Sequence, residues 1–599
     1  MDRLPHLTPA RLLLALILAS GLALRVVNLD HGLPFVWSLD EGTHFTNRAV
    51  LMFREGLDPG YYQNPPLFTE LTHLLLRVMY GPLRFAFDLP AGNVVDEFER
   101  DPTEIWIAAR ALIAVLCTAG AAATFWVGRR LWGEREGLVA ATLIAFAFLP
   151  VAYSRLAVTD AGSLAGVALA LLGCVRLAES GGRRPVLLTG AAIGLALSFK
   201  YTCGLLLLPL AIAAGCRVRA DGALNAIGMF LGATVLAGAV LMVLNPPLLL
   251  NLSELRADLR GQADITANVP KPGQEEGGLP YYLDTLGWGI GALAALAAVA
   301  GATVLARRDW RRALILAAFP VALLIYLSVQ SRYFGRWLLP AYPALALLAA
   351  VALARGAQLV RRPAARTAAL VAVTLAVIAQ PLAADVRSAV VLGRDDTREQ
   401  VRDYLTRSFP PELRLSVEPA VPGRWFRVDP AGEDPPWLSR CPRRASWTER
   451  GWRYPTAGGR RVCRRSRPGQ FTRPDGGVRA SAYHVVLDRA VIDQYRRHGY
   501  CVIVTFGVVR DRAIATGDPD VRDYYRRLER ESRVLRAFSP YDEGAGPVPF
   551  HFDLSYNYEP AAYHRPGPAA KIYRLRRCRQ AYGAPAGQVP RARELRKGK

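Results

Sequence analysis

Two adjacent acids, Asp40 and Glu41, stand in the stretch VWSLDEGTHF just beyond an apolar run that begins at Leu12, and a third, Asp160, stands in YSRLAVTDAGS beyond another. A carboxylate in such a place can take the proton of a hydroxyl group and turn it into a nucleophile. Four cations, Arg155, Lys200, Arg332 and Arg336, also sit at the ends of apolar runs. There they suit an anionic group such as a lipid phosphate, although long basic side chains also reach such boundaries simply to keep their charge in water. Acids beside cations at one membrane face suit transfer of a group from a lipid-linked phosphate to a hydroxyl: the base activates the acceptor, and the cations stabilise charge growing on the leaving phosphate. The plainer reading makes both aspartates helix N-caps, Asp40 for a helix over 41–54 and Asp160 for the apolar run that follows it.

These residues are placed by apolar runs at 12–29, 106–128, 136–153, 161–178, 186–199, 201–216, 223–245, 286–306, 313–330, 337–354 and 367–384. A bilayer is crossed by about 20 apolar residues, so the chain, 599 residues long and 52% hydrophobic, reads as an α-helical polytopic membrane protein with about 11 transmembrane helices. An odd count puts the two ends on opposite sides. Loops on the N-terminal side of that count carry clusters such as Arg129, Arg130 and Arg135, or Arg307, Arg308, Arg311 and Arg312, whereas the opposite turns carry only Arg155, Lys200, Arg332 and Arg336. Basic residues resist translocation, so the N terminus is expected in the cytoplasm and the C-terminal region outside it, in the cell (inner) membrane. The run 186–216 is short for two spans; one long tilted helix carrying Lys200 at its middle would invert everything downstream. The first run also has the make-up of a secretory signal, but ten further spans favour an anchor.

Two outward segments, roughly 30–105 and 246–285, are too long to be plain connectors. The first holds an amphipathic stretch, FTELTHLLLRVMYGPLRF, after the break of Pro65 and Pro66; the second runs from NPPLLLNLSELRADLRGQ into the Gly- and Pro-rich ITANVPKPGQEEGGLPYY, a composition that suits a flap or a linker. The domains are therefore 1–384 in the membrane and 385–599 outside it. In the latter, DDTREQVRDYLTRSF reads as a helix, YCVIVTFG as a buried strand, DPDVRDYYRRLERESRVLRAF as one helix capped by Asp518, and KIYRLRR as a strand, with an irregular insertion near 419–480. This is the pattern of a small α/β domain. Its 42 Lys and Arg against 25 Asp and Glu account for +17 of the formal +24; anionic lipid or envelope polymer fits such a surface there and nucleic acid does not. Four cysteines, Cys441, Cys463, Cys501 and Cys578, allow three pairings into two disulfides in an oxidising compartment. No Cys/His spacing marks a metal site and no P-loop is present; no cofactor is expected, although a carboxylate pair is able to hold a divalent ion.

The strings DEGTHF, NPPLF, RRLWGEREGLVAATLIAFAFLPVAYSRLAVTD, GLALSFKYT and RYFGRWLLPAYP occur in an order that resembles the GT-C superfamily of membrane glycosyltransferases, close to the protein O-mannosyltransferase and lipid A aminoarabinose transferase group. The resemblance spans roughly 11–350. It implies the GT-C fold and transfer of a sugar from a polyprenyl-phosphate donor to a hydroxyl outside the cytoplasm, usually with inversion and without a nucleotide sugar. By position, Asp40 is then the catalytic base and Glu41 and Asp160 position acceptor and donor. Lys200 and Tyr201 match a pair expected near the lipid phosphate, with Arg155, Arg332 and Arg336 as further phosphate ligands. Where some relatives have Lys or His before the Pro-Pro pair this chain has Asn64, which donates a hydrogen bond but no charge, leaving more of that role to Lys200. His44 lies one helical turn beyond Asp40 and is a weaker candidate. A transporter or flippase for an anionic lipid, or an envelope receptor anchored by the spans, would use some of the same residues; the first calls for ionisable groups at mid-bilayer and internal repeats.

Overall fold

The computed structural model describes residues 8–85, 93–271, 274, 277–410, 413–422, 425 and 487–582. The chain forms two compact units: one comprises the described residues of Met1–Asp30, Ser38–Pro270 and Glu276–Ala389, the other those of His31–Trp37, Lys271–Glu275 and Val390–Lys599.

The first unit is helical. Helix α1 (Pro9–Val26) leads to α2 (Leu39–Thr43), α3 (Phe45–Glu55), α4 (Leu67–Tyr80) and α5 (Val94–Arg100). Then come α6 (Thr103–Leu131), α7 (Glu134–Ala145), α8 (Phe148–Tyr153), α9 (Leu164–Ser180), α10 (Arg183–Leu197), α11 (Leu207–Gly215), α12 (Val218–Asp221) and α13 (Ala223–Leu244). The second long loop contributes α14 (Pro246–Leu250), α15 (Leu252–Asn268) and α16 (Gly278–Leu286), and the unit finishes with α17 (Ala292–Ala306), α18 (Trp310–Ser328), α19 (Tyr342–Ala357) and α20 (Pro363–Leu392).

Every one of the eleven apolar runs is helical, but among the described residues only eight helices are long and apolar enough to cross a membrane. The other three runs are shorter: α7 and α8 are separated by a break at Phe146–Ala147, α10 has 15 residues, and Tyr201–Gly215 starts as a 3-10 segment. These breaks fall where the chain turns to present Tyr153, Asp160 and Lys200. The alternative of one helix over 186–216 is ruled out by register. A Cβ on Gly166 would meet Ala196 and one on Gly173 would meet Thr189, so α9 and α10 run antiparallel; Gly190 meets Ala233 and Gly194 meets Ala237, so α10 and α13 run parallel. Between two parallel helices the chain must return, and it does so through Tyr201–Gly215. Small residues at these crossings let backbones approach closely, the usual device for helix packing in lipid.

The second unit carries a four-stranded sheet, β1 (Leu415–Val417), β2 (Val502–Phe506), β3 (Ser532–Phe538) and β4 (Ala570–Leu575), in the order β1-β2-β4-β3. β1 pairs parallel with β2, and β4 is antiparallel to both of its neighbours. Ile503 faces one core with Tyr495, Val521, Tyr524 and Leu528, while Val502, Val504 and Phe506 face another with Val401, Leu405 and Trp425. A strand covered on both faces reads as an unbroken apolar run, as YCVIVTFG does. Helices α21 (Thr397–Ser408), α22 (Ala490–His498), α23 (Gly507–Ala515) and α24 (Pro519–Glu531) complete the unit. Asp518 caps α24 through the amide of Asp520. The single long helix expected over 518–538 is corrected: α24 stops at Glu531 and SRVLRAF becomes β3, because its backbone pairs with β4. Cys501 and Cys578 form a disulfide; Cys441, Cys463 and most of the expected insertion lie outside the described residues.

Candidate active site

At one end of the helix bundle the C-terminal end of α1, the short α2, the N-terminal half of α6 and the turns after α8, α10 and α18 converge. Asp40 lies in the first turn of α2, whose N-cap is Ser38, and the helix ends at His44 after only five residues. The expected cap role for Asp40 over 41–54 is therefore corrected: its carboxylate reaches the Arg336 guanidinium at 2.6 Å instead. Asp160 likewise opens a 3-10 turn capped by Thr159, and its side chain meets Lys200 Nζ at 2.6 Å. That meeting is built locally: the Thr159 hydroxyl donates to the Phe199 carbonyl at 3.0 Å, and a Cβ on Gly162 would collide with the Phe199 ring. Glycine is required there because the two turns touch, and Lys200, in extended backbone after α10, is thereby set against Asp160.

The two pairs bracket Tyr61. Burial raises the pKa of this tyrosine; the hydrogen bond from Asn64 lowers it, the charges of Asp40 and Asp160 raise it and that of Arg336 lowers it, so all four groups lie around one hydroxyl. Asn64 donates to the Tyr61 hydroxyl at 2.8 Å, and His44 stacks on the Tyr61 ring with centroids 4.5 Å apart. The backbone amides of Phe334 and Gly335 donate to the hydroxyls of Tyr282 and Tyr281, and the Arg336 guanidinium rests 4.3 Å from the Phe334 ring centroid and 5.7 Å from that of Tyr153. This sets the position of Arg336.

Other expected residues lie elsewhere. Glu41 is fully buried: Arg110 grips both its oxygens at 2.6 and 2.9 Å, and the Ala157 amide donates to it at 2.9 Å. A carboxylate so enclosed holds α2 against α6 and the turn after α8. Arg155 is buried and donates to the Leu24 carbonyl and the Ser388 hydroxyl, where it joins α1 to α20. Arg332 is tied to the end of α15 through the carbonyls of Thr266 and Val269. Tyr201 packs with Tyr62, Leu248 and Leu255. There the two long loops meet, since the Tyr62 amide donates to Asp258 and Asn251 donates to the Tyr62 hydroxyl. Arg110, Tyr61, Tyr281 and Tyr282 were not singled out from sequence. Arg110 alone carried a signal there, as a charge inside the run 106–128. Among the described residues no group of three His, Cys, Asp or Glu side chains is set to hold a metal ion.

Residues 105–246, which include Asp160 and Lys200, match the family model described as dolichyl-phosphate-mannose-protein mannosyltransferase. The oligosaccharyltransferase of Archaeoglobus fulgidus in its apo form is similar at 13% identity over 91% of this chain and 75% of that one, with a TM-score of 0.50. The fold is that of the GT-C glycosyltransferases. ArnT from Cupriavidus metallidurans in the apo state is 16% identical over 67% of this chain and 82% of that one, at a TM-score of 0.43. No curated protein sequence matches. The GT-C unit thus carries, at one end, two acid–cation pairs around a tyrosine.

Proposed function

We propose that this protein transfers a sugar from a polyprenyl-phosphate donor to a hydroxyl-bearing acceptor outside the cytoplasm, with Asp40 as base. The observation that carries this reading is the convergence of Asp40–Arg336 and Asp160–Lys200 around Tyr61. Asp40 takes the acceptor's proton, the acceptor oxygen bonds to the anomeric carbon from the side opposite the phosphate, and the sugar–phosphate bond breaks with inversion. Arg336 and Lys200 balance the charge on the departing phosphate. The description of the family model, dolichyl-phosphate-mannose-protein mannosyltransferase, supports the substrate class. The disulfide suits an oxidising compartment for the second unit. The flippase reading is less favoured, because both acids gather at one end of the bundle rather than at its middle.

The test is Asp40→Asn, assayed in membranes supplied with an undecaprenyl-phosphate-linked sugar. Transfer is expected to fall by about 10²–10⁴-fold, the usual worth of a positioned base. Wild-type transfer by a folded variant would remove Asp40 from this role.

A further inference from the structure

Each acid of the site has a cation. Asp40, Arg336, Asp160 and Lys200 sum to zero charge, and Glu41 and Arg110 form a third neutral pair. An anionic phosphate that takes Arg336 or Lys200 as its counter-charge draws that cation away from its carboxylate. The two candidate pairs differ in how readily they open. The side chains of Lys200 and Asp160 are 10% and 5% exposed, so parting them strands charges away from water; those of Arg336 and Asp40 are 14% and 38% exposed, so Asp40 is solvated when its partner leaves. Arg336 is also built to move without being lost. The main chain just before it is fixed, because the Gly335 and Phe334 amides donate to the Tyr281 and Tyr282 hydroxyls at 3.0 and 3.3 Å, while its guanidinium lies against the rings of Phe334 and Tyr153, which offer it a cation–π surface beside Asp40.

We propose that Arg336 is a latch on the base: it pairs with Asp40 and moves to the donor's phosphate on binding, so that the donor must bind before Asp40 can accept a proton, with Tyr281 and Tyr282 as positioning residues for this movement. The inference rests on the glycosyl-transfer reading above. The step balances. The acceptor proton passes to Asp40, the sugar–phosphate bond breaks as the sugar–acceptor bond forms, and the phosphate leaves with one more negative charge than the diester had. Arg336 is then held by the more highly charged product, and protonated Asp40 has no pull on it. Loss of the proton to water and departure of the lipid phosphate restore the pair, which keeps an uncovered base away from water between turnovers.

The experiment measures binding of undecaprenyl phosphate to the full-length protein in phosphatidylcholine nanodiscs. Asp40→Asn removes Arg336's competing partner, so binding is expected to tighten by about tenfold, within the usual range of a coupling between sites; a misfolded variant cannot mimic a gain. Arg336→Gln is expected to bind about tenfold more weakly, and Asp40→Asn to have no effect in that background. Tyr281→Phe is expected to weaken binding several-fold in the wild-type background but not beside Arg336→Gln. Unchanged or weaker binding by Asp40→Asn, or the same gain with and without Arg336, overturns the latch. Transfer assays on the same samples separate the two ideas. If wild type transfers sugar, Asp40→Asn does not, and binding is unchanged, the function stands and the latch falls; a wild-type protein that binds no undecaprenyl phosphate ends both.

Discussion

Neighbouring acids with opposite phenotypes are the sharpest consequence of the site. Glu41 is 0% exposed and its partner Arg110 1%, with two charge-assisted contacts at 2.6 and 2.9 Å and a third hydrogen bond from the Ala157 amide. Charge-assisted hydrogen bonds contribute about 1.5–3 kcal/mol each and a neutral one about 1. Glu41→Gln keeps the shape and one accepting oxygen but turns an amide group toward the guanidinium, leaving a buried charge without its counterpart. Breaking a buried pair in this way costs about 3–5 kcal/mol. Asp40→Asn, one residue earlier and half-exposed, carries no such cost. Thermal unfolding of purified protein in one detergent is therefore expected to place Glu41→Gln several degrees below wild type and Asp40→Asn near it. Undecaprenyl-phosphate binding survives in whatever fraction of Glu41→Gln remains folded. The double variant Glu41→Gln, Arg110→Met is expected to recover part of the loss, since it removes the stranded cation. Unfolding of Glu41→Gln at the wild-type temperature, or losses that simply add in the double variant, would refute the view of Glu41 as a strut.

Two further outcomes follow from the same structure. Glu418 in the second unit is buried, accepting from the Phe506 amide and the Tyr525 hydroxyl at 2.7 Å each, and burial pushes its pKa up from 4.5 to about 8. The folded state thus binds the proton more tightly than the unfolded chain, so stability is highest below pH 4.5 and falls as pH rises toward 8, by a ceiling of about 5 kcal/mol; Glu418→Gln is expected to flatten the dependence of unfolding temperature on pH between 5 and 8, and an unchanged slope would count against it. In the first unit a Cβ on Gly166 would lie 2.6 Å from the Ala196 backbone nitrogen. Gly166→Val is accordingly expected to lose nearly all folded protein on size-exclusion chromatography, while Gly228→Val, where nothing lies within 4 Å, leaves the yield unchanged.

Much of the architecture is legible because membrane helices and covered strands announce themselves by composition. Each of the eleven apolar runs is helical, and YCVIVTFG holds a strand buried on both faces. Hydropathy does not reveal where a helix is interrupted, since at the break after α10 Phe199 packs against Gly162 and accepts from Thr159, the latter 40 residues away along the chain but adjacent in space. Nor does local pattern distinguish SRVLRAF from a continuation of α24, because only pairing with β4 makes it a strand.

The sequence by itself determined which residue types stand at the ends of the helices: three acids and four basic residues, their order, and a resemblance that ranked Asp40 above the rest. Charge alone does not separate Arg155 from Arg336, or Asp40 from Glu41, since the members of each pair carry the same charge. The tertiary structure decided between them. A guanidinium or carboxylate acts on whatever lies within about 3 Å, and that is set by contacts across the fold: Leu24 and Ser388 hold Arg155, Arg110 encloses Glu41, and Arg336 is left to face Asp40.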